Sequence, residues 1–270
     1  MNTALQEKYH CLQHLLADMK SLAVAFSGGV DSSLLLYVAH QVLENAVVAV
    51  TIQSPYIPQW EIEEARTFTR QHGIKHIILQ ATIPDIIRLN PEERCYLCKR
   101  TLFSTLLETM GKEGIQWLAE GTNADDETDY RPGLKALQEL GVRSPLREAA
   151  LTKEDIRLLS KELGLPTWNK PAYACLLTRL PYHTPVTENI LRQIEQAEKF
   201  LMDMGIRDIR VRHHNDIARI ETGTNNFNAI VINAPRIQQF FIQLGYKYVT
   251  LDLGGYRMGN FNSSLFSRND

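Results

Sequence analysis

A short apolar segment followed by a Ser-Gly-Gly turn is the feature that most constrains how this chain folds. Residues 22–26 form a wholly apolar run that is typical of a buried parallel strand, and apolar residues return at helical density from Leu34 onward. Between them lies Ser27-Gly-Gly-Val-Asp-Ser32. Two adjacent glycines let backbone N–H groups turn outward, and the N-terminus of the following helix adds a positive dipole end. The pattern therefore predicts a strand, an anion-binding turn and a helix.

The chain continues with segments that alternate between helix and strand patterns. Helices are predicted at 3–18, 61–72 and 155–164, and further strands at 46–52, 75–80, 115–120 and 142–146. This alternation predicts an α/β fold with a doubly wound parallel sheet, in which ligands bind beyond the carboxyl ends of the strands.

From Thr187 the pattern changes to that of a smaller C-terminal α+β domain. Its predicted elements are helices at 190–204 and 235–244 and strands at 206–212, 217–221, 229–233 and 246–252. We place the domain boundary near 183–187, which gives domains 1–185 and 186–270. Arg210 and Arg212 alternate with apolar residues, so both project from one face of a strand. Such a pair suits a phosphate or carboxylate ligand, and a charged solvent face is the alternative.

Composition excludes some classes of protein. The 270 residues are 44% hydrophobic and 22% charged, which is ordinary for a globular protein. With 29 basic and 31 acidic residues, the charge gives no reason to expect a nucleic-acid partner. The first ten residues contain no apolar leader, and no run approaches the ~18 apolar residues of a membrane span. We expect a cytoplasmic protein with no membrane partner.

Four cysteines are too few and too unevenly placed for a disulfide framework. Cys11 is interpreted as structural. Cys95 and Cys98 form a Cys-x-x-Cys pair at the start of a helix, where the dipole and nearby basic residues favour thiolates. One pair supplies only two metal ligands, and two unrelated cysteines are the alternative. Cys175 lies in a proline-rich stretch near Arg179, which makes it a candidate nucleophile or a buried structural cysteine.

An acidic loop follows the strand predicted at 115–120. It contains Asp125, Asp126, Glu127 and Asp129. Carboxylates that face a phosphate-binding turn suit Mg²⁺, which prefers oxygen ligands and substrate phosphates. A solvated acidic loop is the alternative interpretation.

The turn at Ser27–Ser32 resembles the PP-loop, Ser-Gly-Gly-x-Asp-Ser, of ATP pyrophosphatases. It matches neither the Gly-x-x-x-x-Gly-Lys-Ser/Thr pattern nor the Gly-x-Gly-x-x-Gly pattern. The resemblance implies an enzyme that cleaves ATP between the α and β phosphates, adenylates a substrate oxygen and releases pyrophosphate.

Over nearly its whole length the chain resembles the LarE family, ATP-dependent sulfur transferases that help build the nickel-pincer nucleotide cofactor of lactate racemase. The resemblance rests on Ser27-Gly-Gly-Val-Asp-Ser32, Glu120-Gly-Thr-Asn-Ala-Asp125 with Asp129-Tyr-Arg-Pro-Gly133, Lys170-Pro-Ala-Tyr-Ala-Cys175 with Arg179, and Leu251-Asp-Leu-Gly-Gly-Tyr-Arg257. In that family the substrate is a pyridinium-3,5-biscarboxylic acid mononucleotide. ATP activates one carboxylate, the cysteine that matches Cys175 attacks it, and the product is a thiocarboxylic acid.

The resemblance also implies roles for individual residues. Asp31, Arg179 and Cys175 are expected to be catalytic, with Arg179 stabilising charge on the departing phosphates, and Glu127 is expected to bind Mg²⁺. Arg210 and Arg212 match positions that hold the substrate phosphate. The remaining expected contacts to ATP or substrate are Ser27, Gly28, Gly29, Val30, Asp31, Ser32, Asn123, Glu198 and Glu221.

Cysteine use divides the family into two types. Members with only the cysteine that matches Cys175 sacrifice its sulfur and retain dehydroalanine. Others hold a [4Fe-4S] cluster on three thiolates, and its open iron carries the sulfide to be transferred. Cys95, Cys98 and Cys175 supply three thiolates, so we hypothesise the cluster type. A sulfide donor and a homo-oligomeric assembly are further expectations.

Other functions also suit parts of this sequence. A PP-loop tRNA thiolation enzyme also adenylates an oxygen, but the near-neutral charge offers no clear basic face for RNA. An amide-forming synthetase of the NAD-synthetase type uses ammonia and needs no cysteine. A nucleotide-binding module without catalysis and an iron–sulfur assembly scaffold complete the alternatives. The intact Ser27, Asp31 and Ser32 favour the enzyme.

Overall fold

The computed structural model describes residues 2–128, 132–171 and 174–256, with the side chains of Glu127 and Thr128 left out. The chain forms two compact units. The first contains residues 1–86 and 93–173, and the second contains residues 87–92 and 174–270. The domain boundary proposed at residues 183–187 stays a prediction.

A parallel sheet forms the centre of the first unit. Its strands are β1 (Leu22–Ala25), β2 (Val47–Gln53), β3 (His76–Gln80) and β4 (Trp117–Ala119), in the spatial order β3-β2-β1-β4. Every pairing is parallel, with Val24 of β1 opposite Ala49 of β2 and Ala119 of β4. The predicted α/β fold with a parallel sheet is confirmed.

Helices cover both faces of this sheet. They are α1 (Thr3–Met19), α2 (Val30–Leu43), α3 (Gln59–Gln71), α4 (Arg94–Lys112), α5 (Pro132–Glu139), α6 (Pro145–Glu148) and α7 (Lys153–Glu162). Leu22 and Val24 belong to an apolar cluster with side chains of α1, α2 and α7, whereas Ala23 belongs to a cluster with α4 and α5. Alternate residues of one strand thus bury on opposite faces, which explains the continuous apolar run.

The prediction of a strand at residues 142–146 is wrong. Only Arg143 pairs with the sheet, through an isolated parallel bridge to Ala119. The next residues turn into α6, with Ser144 at the N-cap and Pro145 in the first turn. Proline has no N–H to donate to a strand ladder but suits the first turn of a helix, so the strand is limited to a single bridge.

The second unit contains a smaller mixed sheet with helices. Its elements are α8 (Glu188–Asp203), β5 (Arg210–His214), β6 (Ile217–Glu221), α9 (Phe227–Ile232), α10 (Ala234–Gln243) and β7 (Tyr248–Leu251). The strands lie in the order β5-β6-β7, with an antiparallel first pair and a parallel second pair. Leu201, Val211 and Phe241 are completely buried in its core. The predicted smaller α+β architecture is confirmed.

The prediction of a strand at residues 229–233 is also wrong, because residues 227–232 form α9. The β-branched run Ile-Val-Ile favoured a strand. However, the parallel partner of β6 is β7, and Val231 and Ile232 are 64% and 79% exposed. With little of the run buried, local propensity did not decide the outcome.

None of the helices in the described part of the chain is long and apolar enough to cross a membrane.

Candidate active site

The turn after β1 has a backbone shape that requires glycine. Gly28 has φ +69°, and Gly29 is the N-cap residue of α2 with φ −77° and ψ 168°. The hydroxyl oxygens of Ser27 and Ser32 lie 3.1 Å apart, and Ser32 Oγ donates to Gly29 O at 3.3 Å. Because glycine brings no capping side chain, the first N–H groups of α2 are available to an anion.

Asp31, in the first turn of α2, is held by residues from two other segments. Its carboxylate accepts hydrogen bonds from Asn123 Nδ2 at 3.2 Å and from Lys153 Nζ at 2.5 Å. The structure thus brings together Asp31 and Asn123, both predicted as site residues. Lys153 was missed. It is the first residue of α7, directly after the N-cap residue Thr152, and nothing in its spacing distinguishes it from a surface lysine.

The loop after β4 lies directly against the start of α2. A Cβ atom at Gly121 would lie 2.9 Å from the backbone N of Ser32 and 3.1 Å from Cβ of Asp31. The neighbouring Glu120 is buried and accepts hydrogen bonds from Thr122 N, Thr122 Oγ1 and Ser144 Oγ. This close approach allows Asn123 to reach Asp31, and it leaves no room for a side chain at position 121.

The acidic loop uses two of its carboxylates for local hydrogen bonds. Asp125 Oδ2 accepts from Lys153 N at 2.8 Å, and Asp126 Oδ2 accepts from Asn123 N at 3.1 Å. The side chain of Glu127, predicted to bind Mg²⁺, lies outside the described residues. The same is true of the motif residues Asp129, Tyr130, Arg131, Ala172, Tyr173 and Arg257.

Lys170 contacts the glycine turn itself. Its Nζ donates to Gly28 O at 2.8 Å and forms an ion pair with Glu64 Oε2 at 2.5 Å. The backbone around Lys170 is also fixed, because Arg157 donates to Trp168 O at 2.7 Å and to Lys170 O at 3.1 Å. No role is predicted for Lys170 from the sequence, although this residue lies in the motif that ends at Cys175.

Cys95 and Cys98 lie in the first turn of α4, three residues apart and therefore on one face of the helix. Cys95 is exposed, whereas Cys98 is partly buried and its Sγ donates to Tyr56 Oη at 3.4 Å. Burial raises the pKa of the Cys98 thiol more than the hydrogen bond with Tyr56 lowers it. The expectation that the helix start favours a thiolate is therefore wrong for Cys98. Among the residues described, no group of three or more His, Cys, Asp or Glu side chains could hold a metal ion.

In the second unit, Cys175 begins a short 3₁₀ turn that spans Leu176–Arg179. Its carbonyl oxygen accepts from Thr178 N at 3.0 Å, Thr178 Oγ1 at 2.8 Å and Arg179 Nη1 at 3.3 Å. Arg179 also donates to Ala174 O at 2.6 Å. The backbone on both sides of the thiol is thereby fixed by Arg179.

Arg179 takes part in a buried network of ion pairs. It is 1% exposed and donates through Nε and Nη2 to the two oxygens of Glu198, at 2.8 and 2.9 Å. Glu198 Oε1 also accepts from Val211 N at 2.8 Å. Arg212 donates to Glu221 Oε2 at 2.9 and 2.7 Å, and to Thr178 O at 2.6 Å. Arg179 and Arg212 therefore both bind the turn that follows Cys175.

Arg210 belongs to the same cluster. It is buried, its guanidinium lies 4.9 Å from the ring centroid of Tyr256, and burial together with the charge of Arg179 lowers its pKa. Arg219 pairs with Glu221 and lies 3.6 Å from Asp252. Among the described residues of this cluster, four arginines face three carboxylates, so these groups carry an excess of one positive charge. The cluster brings together five of the residues predicted for substrate binding or catalysis, namely Arg179, Glu198, Arg210, Arg212 and Glu221.

Comparison with known protein families identifies the part of the chain that contains the glycine turn. The asparagine synthase family model matches residues 10–105, which include β1, the glycine turn and α2. The parallel sheet and the Ser-Gly-Gly-Val-Asp-Ser turn before α2 define a PP-loop ATP pyrophosphatase.

Relatives that match along most of the chain identify one family within this class of enzymes. The pyridinium-3,5-bisthiocarboxylic acid mononucleotide synthase of Lactiplantibacillus plantarum is 38% identical over 97% of this chain and 96% of its own. Uncharacterized proteins of Synechocystis and Methanocaldococcus jannaschii are 38% and 32% identical, over 97% and 88% of this chain and 99% and 91% of their own. The chain belongs to the LarE family of ATP-dependent sulfur transferases.

Proposed function

We propose that this enzyme uses ATP to convert a carboxylate of pyridinium-3,5-biscarboxylic acid mononucleotide into a thiocarboxylate. The observation that carries the proposal is the 38% identity, along nearly the full chain, to a synthase named for the corresponding bisthiocarboxylic acid. The retained Ser27–Ser32 turn and the fixed turn after Cys175 support it.

The proposed reaction has two parts. In the first, an oxygen of the substrate carboxylate attacks the α-phosphate of ATP, the bond to the β-phosphate breaks, and pyrophosphate leaves. A carboxylate is a poor electrophile until one oxygen becomes a leaving group, and the acyl-adenylate provides that group. The amides of Gly28, Gly29 and Val30 and the hydroxyls of Ser27 and Ser32 are proposed to bind the phosphates.

In the second part, the Cys175 thiolate attacks the acyl carbon, and AMP departs with the electrons of the broken C–O bond. A base then takes the Cα proton of Cys175, the C–H electrons form a Cα=Cβ double bond, and the Cβ–S bond breaks with its electrons on sulfur. The sulfur remains on the substrate as a thiocarboxylate, and dehydroalanine remains in the chain. Arg210 and Arg212 are proposed to attract the substrate phosphate, and Mg²⁺ is proposed to bind at Asp31 and Glu127.

A [4Fe-4S] cluster is part of this proposal as the alternative to sacrifice of Cys175. Cys95 and Cys98 present two thiols on one face of the first turn of α4, and soft thiolates are the ligands that iron–sulfur clusters require. Cys175 would be the third ligand. Such a cluster would supply sulfide in place of the cysteine sulfur, and a separate donor would replenish that sulfide. We also propose that the protein is a homo-oligomer.

Anaerobic reconstitution tests the cluster. We expect the wild-type chain to bind about four irons, with an iron–sulfur absorption band that Cys95→Ser and Cys98→Ser each abolish. Cys11→Ser is the matched control, because Cys11 is an exposed cysteine on α1 and should leave iron binding unchanged. Absence of iron in the wild type, or equal iron in Cys95→Ser, would contradict the cluster and leave sacrifice of Cys175.

A further inference from the structure

We propose that Lys170 is a positioning residue for the PP-loop, because it fixes the direction of the peptide group between Gly28 and Gly29. The inference rests on the proposed role of this turn in phosphate binding. It adds a residue to the ATP half of the site that lies far from Ser27–Ser32 in sequence.

The contacts of Lys170 are short, and the lysine itself is partly buried. Nζ lies 2.8 Å from Gly28 O and 2.5 Å from Glu64 Oε2, and the side chains of Lys170 and Glu64 are 13% and 49% exposed. Arg157 holds the backbone of this segment through Trp168 O and Lys170 O. A charge-assisted bond from an anchored, partly buried lysine restrains its acceptor more than a bond from a freely exposed lysine would.

The restraint on the carbonyl also acts on the neighbouring amide. A trans peptide group is planar, so the C=O of Gly28 and the N–H of Gly29 point in opposite directions and rotate together. Gly28 has φ +69°, and glycine on both sides lets this plane rotate with little steric resistance. Gly29 N–H donates to Ser27 Oγ at 3.4 Å, a long bond within the turn that a phosphate oxygen could replace. By holding the carbonyl, Lys170 keeps this N–H on the Ser27 side of the turn, where the proposed function has the phosphate bind.

The sequence allows this peptide group to be observed directly. Gly28-Gly29 and Gly254-Gly255 are the two Gly-Gly pairs in the chain. When glycine is labelled with ¹³C at the carbonyl and ¹⁵N at the amide, a spectrum that correlates each amide with the preceding carbonyl contains only these two pairs. The Gly255 signal, whose amide donates to Asp252 O, serves as the internal control.

We expect Lys170→Met to shift the Gly29 signal and leave the Gly255 signal in place. Titration of the full-length chain with pyrophosphate should show an affinity about tenfold lower than that of the wild type, since a hydrogen bond to a charged group is lost. Lys170→Arg retains a cationic donor and should bind pyrophosphate within about twofold of the wild type. Glu64→Gln removes the ion pair but not the bond to Gly28, and should leave the Gly29 signal unchanged.

An unchanged Gly29 signal and unchanged pyrophosphate affinity in Lys170→Met would overturn the inference. If Lys170→Met does not fold, Lys170→Arg decides, and a tenfold loss of affinity in that variant would contradict a role as cationic donor. Equal losses of pyrophosphate affinity in Glu64→Gln and Lys170→Met would assign the effect to the ion pair between these residues. This result would also overturn the inference. If the Gly29 signal of the wild type does not shift when pyrophosphate or ATP is added, the proposed function fails. The shift of the Gly29 signal in Lys170→Met without ligand still tests whether Lys170 positions this peptide group.

Discussion

The two units hold their charged groups in different ways. In the first unit, the Asp31–Lys153 pair joins side chains that are 22% and 34% exposed, beside a glycine turn. In the second unit, the side chains of Arg179 and Glu198 are 1% and 3% exposed. Partly exposed charges can exchange one partner for a ligand at low cost, whereas a buried charge that loses its partner is strongly destabilising. We infer that the first arrangement serves ligand exchange and the second keeps the Cys175 turn in one shape.

The largest effect on stability is expected from Glu198→Ala. It leaves Arg179 buried without its bidentate partner, so unfolding in urea should require about 3–5 kcal/mol less free energy. Asp203→Ala is the matched control on the same helix. It breaks the Lys199–Asp203 pair, whose side chains are 47% and 61% exposed, and should cost no more than about 1 kcal/mol. Equal losses in the two variants would remove the distinction between buried and exposed pairs.

The second effect concerns the close contact at Gly121. Gly121→Ala forces a Cβ against Ser32 N and Asp31, which should cost about 1–3 kcal/mol of stability and lower the affinity for MgATP. Gly111→Ala is the control, because nothing lies within 4 Å of a Cβ at that position in α4. It should be neutral or stabilise the protein by about 0.5–1 kcal/mol. Calorimetric titration and thermal unfolding measure both quantities, and identical behaviour of the two variants would contradict the proposed geometry.

Asp31→Asn should affect binding more than stability. The variant keeps the size of the side chain but loses the charge that faces Lys153 and, in the proposed function, Mg²⁺. Affinity for MgATP should fall by about tenfold, the loss of one interaction with a charged group. The free energy of unfolding should change by no more than about 1 kcal/mol, since the pair is partly exposed. A large loss of stability without a loss of MgATP affinity would reverse the contrast between the units.

A further effect is a pH dependence within the first unit. His76 bonds to Thr51 Oγ1 at 2.7 Å, and Thr51 donates to Phe26 O, just before the glycine turn. Burial, with a smaller contribution from Arg66, lowers the pKa of His76 from 6.5 to about 4. Between pH 6.5 and 4 the unfolded chain therefore binds more protons than the folded chain. The stability that neutral His76 provides is fully present above pH 6.5 and is lost as the pH falls toward 4. His76→Gln should lose less stability over this range, as followed by urea unfolding at several pH values. A profile that matches the wild type would contradict the assignment.

The sequence predicted the sheet of the first unit well because its central strands are buried on both faces. The apolar runs at β1 and β2 leave few alternatives. Prediction failed where the signal was short or mixed. Residues 142–146 contain a proline that starts a helix, and residues 229–233 have strand propensity without a strand partner. In the first place the proline decided the local structure, and in the second place tertiary context did.

The individual contacts of the candidate site were less predictable than its motifs. The PP-loop and Cys175 are recognisable from local sequence. Lys153 and Lys170 reach Asp31 and Gly28 across more than a hundred positions, and surface lysines are too common for such pairs to be recognised. The pairing of Arg212 with Glu221 depends on the register of β5 against β6, in which Arg210 is the residue directly opposite Glu221. Alternation along one strand does not determine that register.

In the proposed function, ATP cleavage and sulfur transfer both occur on this one chain. The most direct test incubates the anaerobically reconstituted protein with MgATP, sulfide and pyridinium-3,5-biscarboxylic acid mononucleotide, and then measures pyrophosphate, the product mass and the mass of the polypeptide. We predict pyrophosphate release, a product in which sulfur has replaced one oxygen, and no such product from Cys175→Ala. Loss of one sulfur at Cys175 identifies sacrifice, and an intact chain with product identifies the cluster. Pyrophosphate release without sulfur in the product, or full product formation by Cys175→Ala, would contradict the account.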